Sequence, residues 1–99
     1  MNEKIEVVQY VSKMYRDVKL QMKEGERSQA KKYMLDREAE FVSYIDQIVS
    51  LLPREYELII RYDFLEEREK KWWQKHFKKS TYYRKKSKAI EAFVDCVTL

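Results

Sequence analysis

A single glycine, Gly25, and a single proline, Pro53, are the only such breakers of regular structure in the chain. Strands and tight turns draw on Gly, Pro, Asn and Asp, so their scarcity favours long helices joined at few points. The apolar spacing agrees. Ile5, Val8, Val11, Tyr15, Val18 and Met22 recur at helical steps and form one stripe. Gly25 is where that helix is expected to end, and Ser28 is placed to cap a second. The second stripe is Met34, Phe41, Ile45, Ile48 and Leu52, broadened by Val42 and Val49. Pro53 closes this helix and opens a third. Glu55 and Glu57 lie near the positive end of its dipole, and Tyr56, Ile59, Ile60 and Phe64 form its buried face. The run Glu66, Glu67, Arg68, Glu69 reads as a loop or a frayed helix end. A short fourth helix is expected over about 70–77, with Trp72, Trp73 and Phe77 as its apolar members. Ser80 or Thr81 then caps a fifth that runs towards Val97, its inner face Tyr82, Ala89, Phe93 and Val97 with help from Ile90. The expectation is an all-α chain of about five helices: an N-terminal helical hairpin over 1–52 and a helix-turn-helix over 53–99.

Hydrophobic residues make up 44% of the chain, enough for the core of one compact domain. Cys96 is the only cysteine, which excludes an internal disulfide and points to a reducing compartment. Its neighbours Phe93, Val94 and Val97 suggest a small buried side chain rather than a nucleophile. One histidine and one cysteine do not make a usual zinc site. Glu38/Glu40 and Glu66/Glu67 lack the His or Gly context of metal or phosphate chemistry. No enzyme activity, metal or cofactor is therefore expected. No long apolar run follows Asn2, Glu3 and Lys4, so neither signal peptide nor membrane span is expected. The expected location is the cytoplasm.

Charge is segregated. From Arg68 to Lys88 ten basic residues face one acid, Glu69, a local +9; with a net charge of +4 the remainder carries 4 − 9 = −5. An acidic body with one concentrated basic segment implies a polyanionic partner for that segment. A short helix, a turn of about three residues and a longer helix with a basic outer face is the helix-turn-helix layout. The first helix must pack across the second, here through Trp72 or Trp73 and Phe77 against Tyr82 and Ala89. The second presents its early turns to the major groove of double-stranded DNA. With Tyr82, Ala89 and Phe93 inward, Arg84, Lys85 and Lys88 fall on or beside the outward face, and Thr81 and Tyr83 lie at its N-terminal end. Thr81, Tyr83, Arg84 and Lys88 are the expected base readers. Arg84 leads, because its planar fork matches the two acceptors of guanine. Lys70, Lys71, Lys75, Lys78, Lys79 and Lys85 suit phosphates.

The segments "LLPREYELIIRYDFLEE" and "STYYRKKSKAIEAF" resemble the C-terminal half of the ArpU-like phage transcriptional regulators. That family is itself similar to the promoter-reading last region of bacterial sigma factors. In its pattern a Leu-Pro opens a helix that ends in an Arg-Tyr pair, here Arg61-Tyr62. A Ser-Thr-Tyr-Tyr-Arg run then opens the recognition helix, and an alanine and an aromatic close it, here Ala89 and Phe93. The resemblance covers about residues 50–97 and implies transcriptional control in a Gram-positive host or its mobile elements, with Thr81, Tyr83, Arg84 and Lys88 as readers. Lys86 stands where such families often carry a hydrophobic residue, and the stretch "EEREKKWWQKHF" is more charged and aromatic than usual.

Two other constellations bear on partners. Trp72 and Trp73 have the chemistry to stack on unpaired bases, but neighbours on an α-helix point about 100° apart, so one is expected in the core and the other partly exposed. The first two helices could instead make an intermolecular seam. A homodimer is expected, since one recognition helix covers only a half-site. The alternative is an interaction module that binds RNA polymerase or another protein through residues 1–52 and needs no DNA.

Overall fold

The computed structural model describes residues 3–25 and 32–98, except the side chains of 24–25 and 32–36. Four α-helices account for most of it: α1 Glu3–Gly25, α2 Lys32–Leu51, α3 Arg54–Ile60 and α4 Lys79–Val97. α3 runs on without a break into a π-helical turn, Arg61–Leu65, and a single 3-10 turn, Trp72–Lys75, interrupts the strap between it and α4. There is no strand among the described residues.

Three of the four expected breaks appear among the described residues; the one expected near Gly25 borders residues outside them, α1 being described as far as Gly25. Pro53 sits just ahead of α3 with extended backbone (φ −51°, ψ 145°), and its carbonyl accepts the first helical bond, from Glu57 N–H at 2.9 Å. Glu67 takes a left-handed conformation (φ 47°), which ends the π turn. Lys78 is extended and precedes α4. The expected caps are less well placed. Ser28, and the side chain of Met34, lie outside the described residues. α4 starts at Lys79, ahead of Ser80 and Thr81, and no side chain caps it.

One correction concerns residues 70–77. They form a 3-10 turn rather than a fourth α-helix, and the link from the π turn to α4 runs over residues 66–78 instead of a three-residue turn. The cause is tertiary. The Trp72 indole N–H donates to Asp63 (2.7 Å) and that of Trp73 to the Lys70 carbonyl (3.1 Å). Satisfying both indoles while the rings pack on α4 holds the backbone in a tighter turn. The helix that packs across α4 is therefore α3 with its π extension.

The core is continuous across Pro53. Val8 and Tyr15 of α1, Val42, Ile45, Ile48 and Val49 of α2, Ile59 and Ile60 of α3, and Ala89, Ile90, Phe93 and Val94 of α4 are all buried in one cluster. Cys96 is half-buried against it. Tyr15 donates to Asp46 (2.7 Å), and further along α1 Gln21 lies beside Glu38. As α1 advances its partners on α2 recede, so the two helices run antiparallel. Arg61 bonds Glu57 (3.1 Å) and Asp46 (3.2 Å) and so ties the end of α3 to α2. Arg16 of α1 donates to the Phe64 carbonyl and pairs with Glu67 (2.9 Å), fixing the point where the strap leaves the π turn.

Ser12 is the exception on the α1 stripe. It is fully buried, and its hydroxyl has no hydrogen-bond partner among the described residues. An unmade buried bond costs about 1–3 kcal/mol, and alanine is the better helix former. Ser12→Ala is expected to stabilise the fold by about 1 kcal/mol, raising the melting midpoint by roughly 4–8 °C. Calorimetry on the two proteins checks this; an unchanged or lower midpoint would mean the hydroxyl is bonded in solution.

Candidate nucleic-acid interface

α4 divides into two halves with different surroundings. From Ala89 onward its inner face, Ala89, Ile90, Phe93 and Val94, lies in the core, and Lys4 of α1 reaches Asp95 on this half (4.0 Å). In the N-terminal half only Tyr82 is fully buried. Ser80, Tyr83, Arg84, Ser87 and Lys88 are exposed there and share the outward side of the helix, whereas Thr81 is half-buried at its flank. The four expected base readers thus lie within two turns of one another, with Arg84 at the middle of the outward strip. Ser80 and Ser87 were missed as members of this strip. Their spacing to Arg84, four residues before and three after, was the available signal.

The basic residues fall into two groups. Lys70, Lys71, Lys75, Lys78, Lys79, Arg84 and Lys88 are exposed and form no ion pair among the described residues. No acid occurs between Glu69 and Glu91 in the sequence, so the strap beyond Glu69 and the start of α4 carry basic residues without interspersed acids. The others are held by acids of α3, its extension and the start of the strap. Lys85 pairs with Glu55, Lys86 with Asp63 (3.4 Å) and Arg68 with Glu66 (3.7 Å). Lys85, expected on phosphate, instead bridges α4 to α3. Lys86 also lies over the rings of Phe64 and Tyr82, so its stem does packing work at a position where an apolar residue is usual in the resembled family.

An aromatic cluster fixes the strap to the start of α4. Trp73 stacks on Tyr82 (4.7 Å between centroids, planes 10° apart), while Trp72 meets Tyr82, Phe77 and Tyr62 edge-on. Both tryptophans are half-buried on the same tyrosine. The expectation of one core and one exposed indole gives way because the segment is not an α-helix. Tyr83 continues the cluster outward: its ring is 5.0 Å from Tyr82 and 54% of the residue is exposed.

Asp63 organises this cluster. Its carboxylate accepts from the Trp72 indole and the Tyr82 hydroxyl and pairs with Lys86, so one side chain joins the π turn, the strap and α4. Burial, and then the bond to Asp63, push the Tyr82 phenol well above its ordinary value, so it stays protonated and donating. Asp63 was not singled out from the sequence. It lies on the Tyr56, Ile59, Ile60 stripe, and a carboxylate on an apolar face signals buried donors nearby.

Beside the cluster a recess of about 470 Å³ is lined by Tyr62, Trp72, Arg68, Lys71, Lys75 and His76, with Glu69 its one acid. The Arg68 guanidinium lies over the Tyr62 ring, 4.0 Å from its centroid. Among the described residues no three His, Cys, Asp or Glu side chains group as metal ligands, and no helix is long and apolar enough to cross a membrane. No family model matches the chain, and no curated protein or solved structure matches it.

Proposed function

We propose that this chain is a sequence-specific DNA-binding transcriptional regulator that lays the N-terminal half of α4 in the major groove. The observation that carries this reading is the row of exposed, unpaired cations on the strap and the free half of α4, set on an otherwise acidic protein. Solvation alone would be served by mixed signs; a uniform positive face with a protruding helix suits a polyanion into whose groove one helix fits. Thr81, Tyr83, Arg84 and Lys88 take the base edges, and Lys70, Lys71, Lys75, Lys78 and Lys79 the flanking phosphates. Lys85 places the helix through Glu55. This is also the activity that the resemblance to ArpU-like regulators implies, with α3 in the role of the supporting helix.

Substitutions should then divide into two kinds. Arg84→Ala is expected to cost roughly 1–3 kcal/mol on a selected site and to relax preference at one position. Lys70→Ala or Lys71→Ala should weaken all sequences alike and reduce the salt slope by about one unit. The measurement is binding of each variant to a selected site and to scrambled DNA. Equal losses on both DNAs for Arg84→Ala would leave α4 an electrostatic anchor only.

A second reading, an interaction module that contacts RNA polymerase or another protein through α1 and α2, is favoured by the apolar side chains exposed there. Tyr10 and Met14 lie one turn apart on α1, and Tyr44 and Leu51 share a face of α2. Most of the apolar stripe of residues 1–52 is used inside the chain, so this remainder is what a partner could bury. Under the first reading the same remainder serves a homodimer, which supplies the second half-site. Sedimentation equilibrium at tens of micromolar is expected to give twice the chain mass. A single-chain mass with and without DNA would favour the monomeric, polymerase-positioned form.

A further inference from the structure

The aromatic walls of the recess beside the strap are not required for holding a duplex. Duplex phosphates need only the lysines on its rim, Lys71 and Lys75, and a base in an intact pair stays in its stack unless unpairing energy is spent to flip it out. Yet this cavity has two aromatic walls, Tyr62 and Trp72, and four groups able to meet an anion: Arg68, Lys71, Lys75 and His76. Its volume of about 470 Å³ lies within the range of small-molecule sites. Rings beside cations are what one nucleoside phosphate requires, the base against the π faces and the phosphate on the charges. The recess also adjoins the reading helix, because Trp73, next in sequence to Trp72, stacks on Tyr82 of α4.

We propose that the recess takes one unpaired nucleotide of a DNA strand at a duplex end or opening, next to the duplex held by α4. The base lies against Tyr62, with the Arg68 guanidinium that already covers this ring shifting to stack on it, and its phosphate meets Lys71 and Lys75. This inference rests on the DNA-binding reading for its partner, and it predicts a preference that duplex binding alone does not contain.

The test compares three ligands by tryptophan fluorescence and anisotropy: a blunt duplex, the same duplex with a short thymidine overhang, and free thymidine monophosphate. The overhang is expected to bind about tenfold more tightly than the blunt form, the gain of a single stacked base, and to quench tryptophan emission more. In Tyr62→Leu, which keeps an apolar side chain but loses the π face, that ratio should fall to about one. The wild-type quench is read without any variant, so a folding defect in Tyr62→Leu does not remove the test. Equal affinity for overhang and blunt duplex overturns the inference and leaves the duplex reading standing. Quenching by free thymidine monophosphate without an overhang preference overturns the strand assignment and makes the recess a site for a free nucleotide. Binding to no DNA at all overturns both.

Discussion

Asp63→Ala is expected to lower unfolding stability by roughly 2–4 kcal/mol and the melting midpoint by roughly 10 °C or more. The substitution removes the acceptor of two donors, the half-buried Trp72 indole N–H and the buried Tyr82 hydroxyl, each worth about 1–3 kcal/mol when left unmade. It also leaves Lys86, whose ammonium lies among the Phe64 and Tyr82 rings, without its carboxylate. Asp63→Asn keeps one acceptor oxygen and should lose about half as much. Glu55→Ala is the contrast: it breaks the Lys85 ion pair at a half-exposed carboxylate, and pairs of that kind contribute about 1 kcal/mol or less. Urea denaturation of the three variants gives the ranking. Asp63→Ala no worse than Glu55→Ala would mean that the strap is held by ring packing alone. Because Asp63 also sets the strap against α4, its loss should weaken DNA binding even at temperatures where the variant is folded.

The long helices were legible because their signals are local and repeated. The stripe from Ile5 to Met22 is the face that packs inward, and Pro53 and Glu67 break the chain where their backbone conformations require. The strap was not legible. Trp72, Trp73 and Phe77 have the spacing of a short helix, and only Asp63, nine residues before Trp72 and nineteen before Tyr82, decides between that helix and a 3-10 turn. A long-range acceptor leaves no period in the sequence. The same limit applies to charge. Ten basic residues in a row of twenty-one look alike as a sequence, yet Lys85 and Lys86 are taken by acids of α3 and its extension while Arg84 and Lys88 are not. Which lysines stay unpaired depends on the packing of α3 and its extension, where the sequence shows Glu55 only as a dipole partner and gives Asp63 no role. Ser12 shows a third case, a polar residue on a correctly read stripe whose missing partner is visible only once the core is assembled.

If the free half of α4 and the strap bind DNA through their unpaired cations, a salt series on a duplex shows it most directly. Each phosphate neutralised by a lysine releases condensed counterions, so the logarithm of the binding constant falls with the logarithm of salt at about 0.9 per contact. With Lys70, Lys71, Lys75, Lys78 and Lys79 on phosphates, the expected slope is about −4.5, a loss of roughly 500-fold between 50 and 200 mM salt. Lys70→Ala and Lys75→Ala should each flatten the slope by about one unit. Lys85→Ala should leave it nearly unchanged, because that ammonium is already neutralised by Glu55. A slope near zero, or one that these lysine substitutions do not alter, would contradict the account and place the basic segment off the DNA.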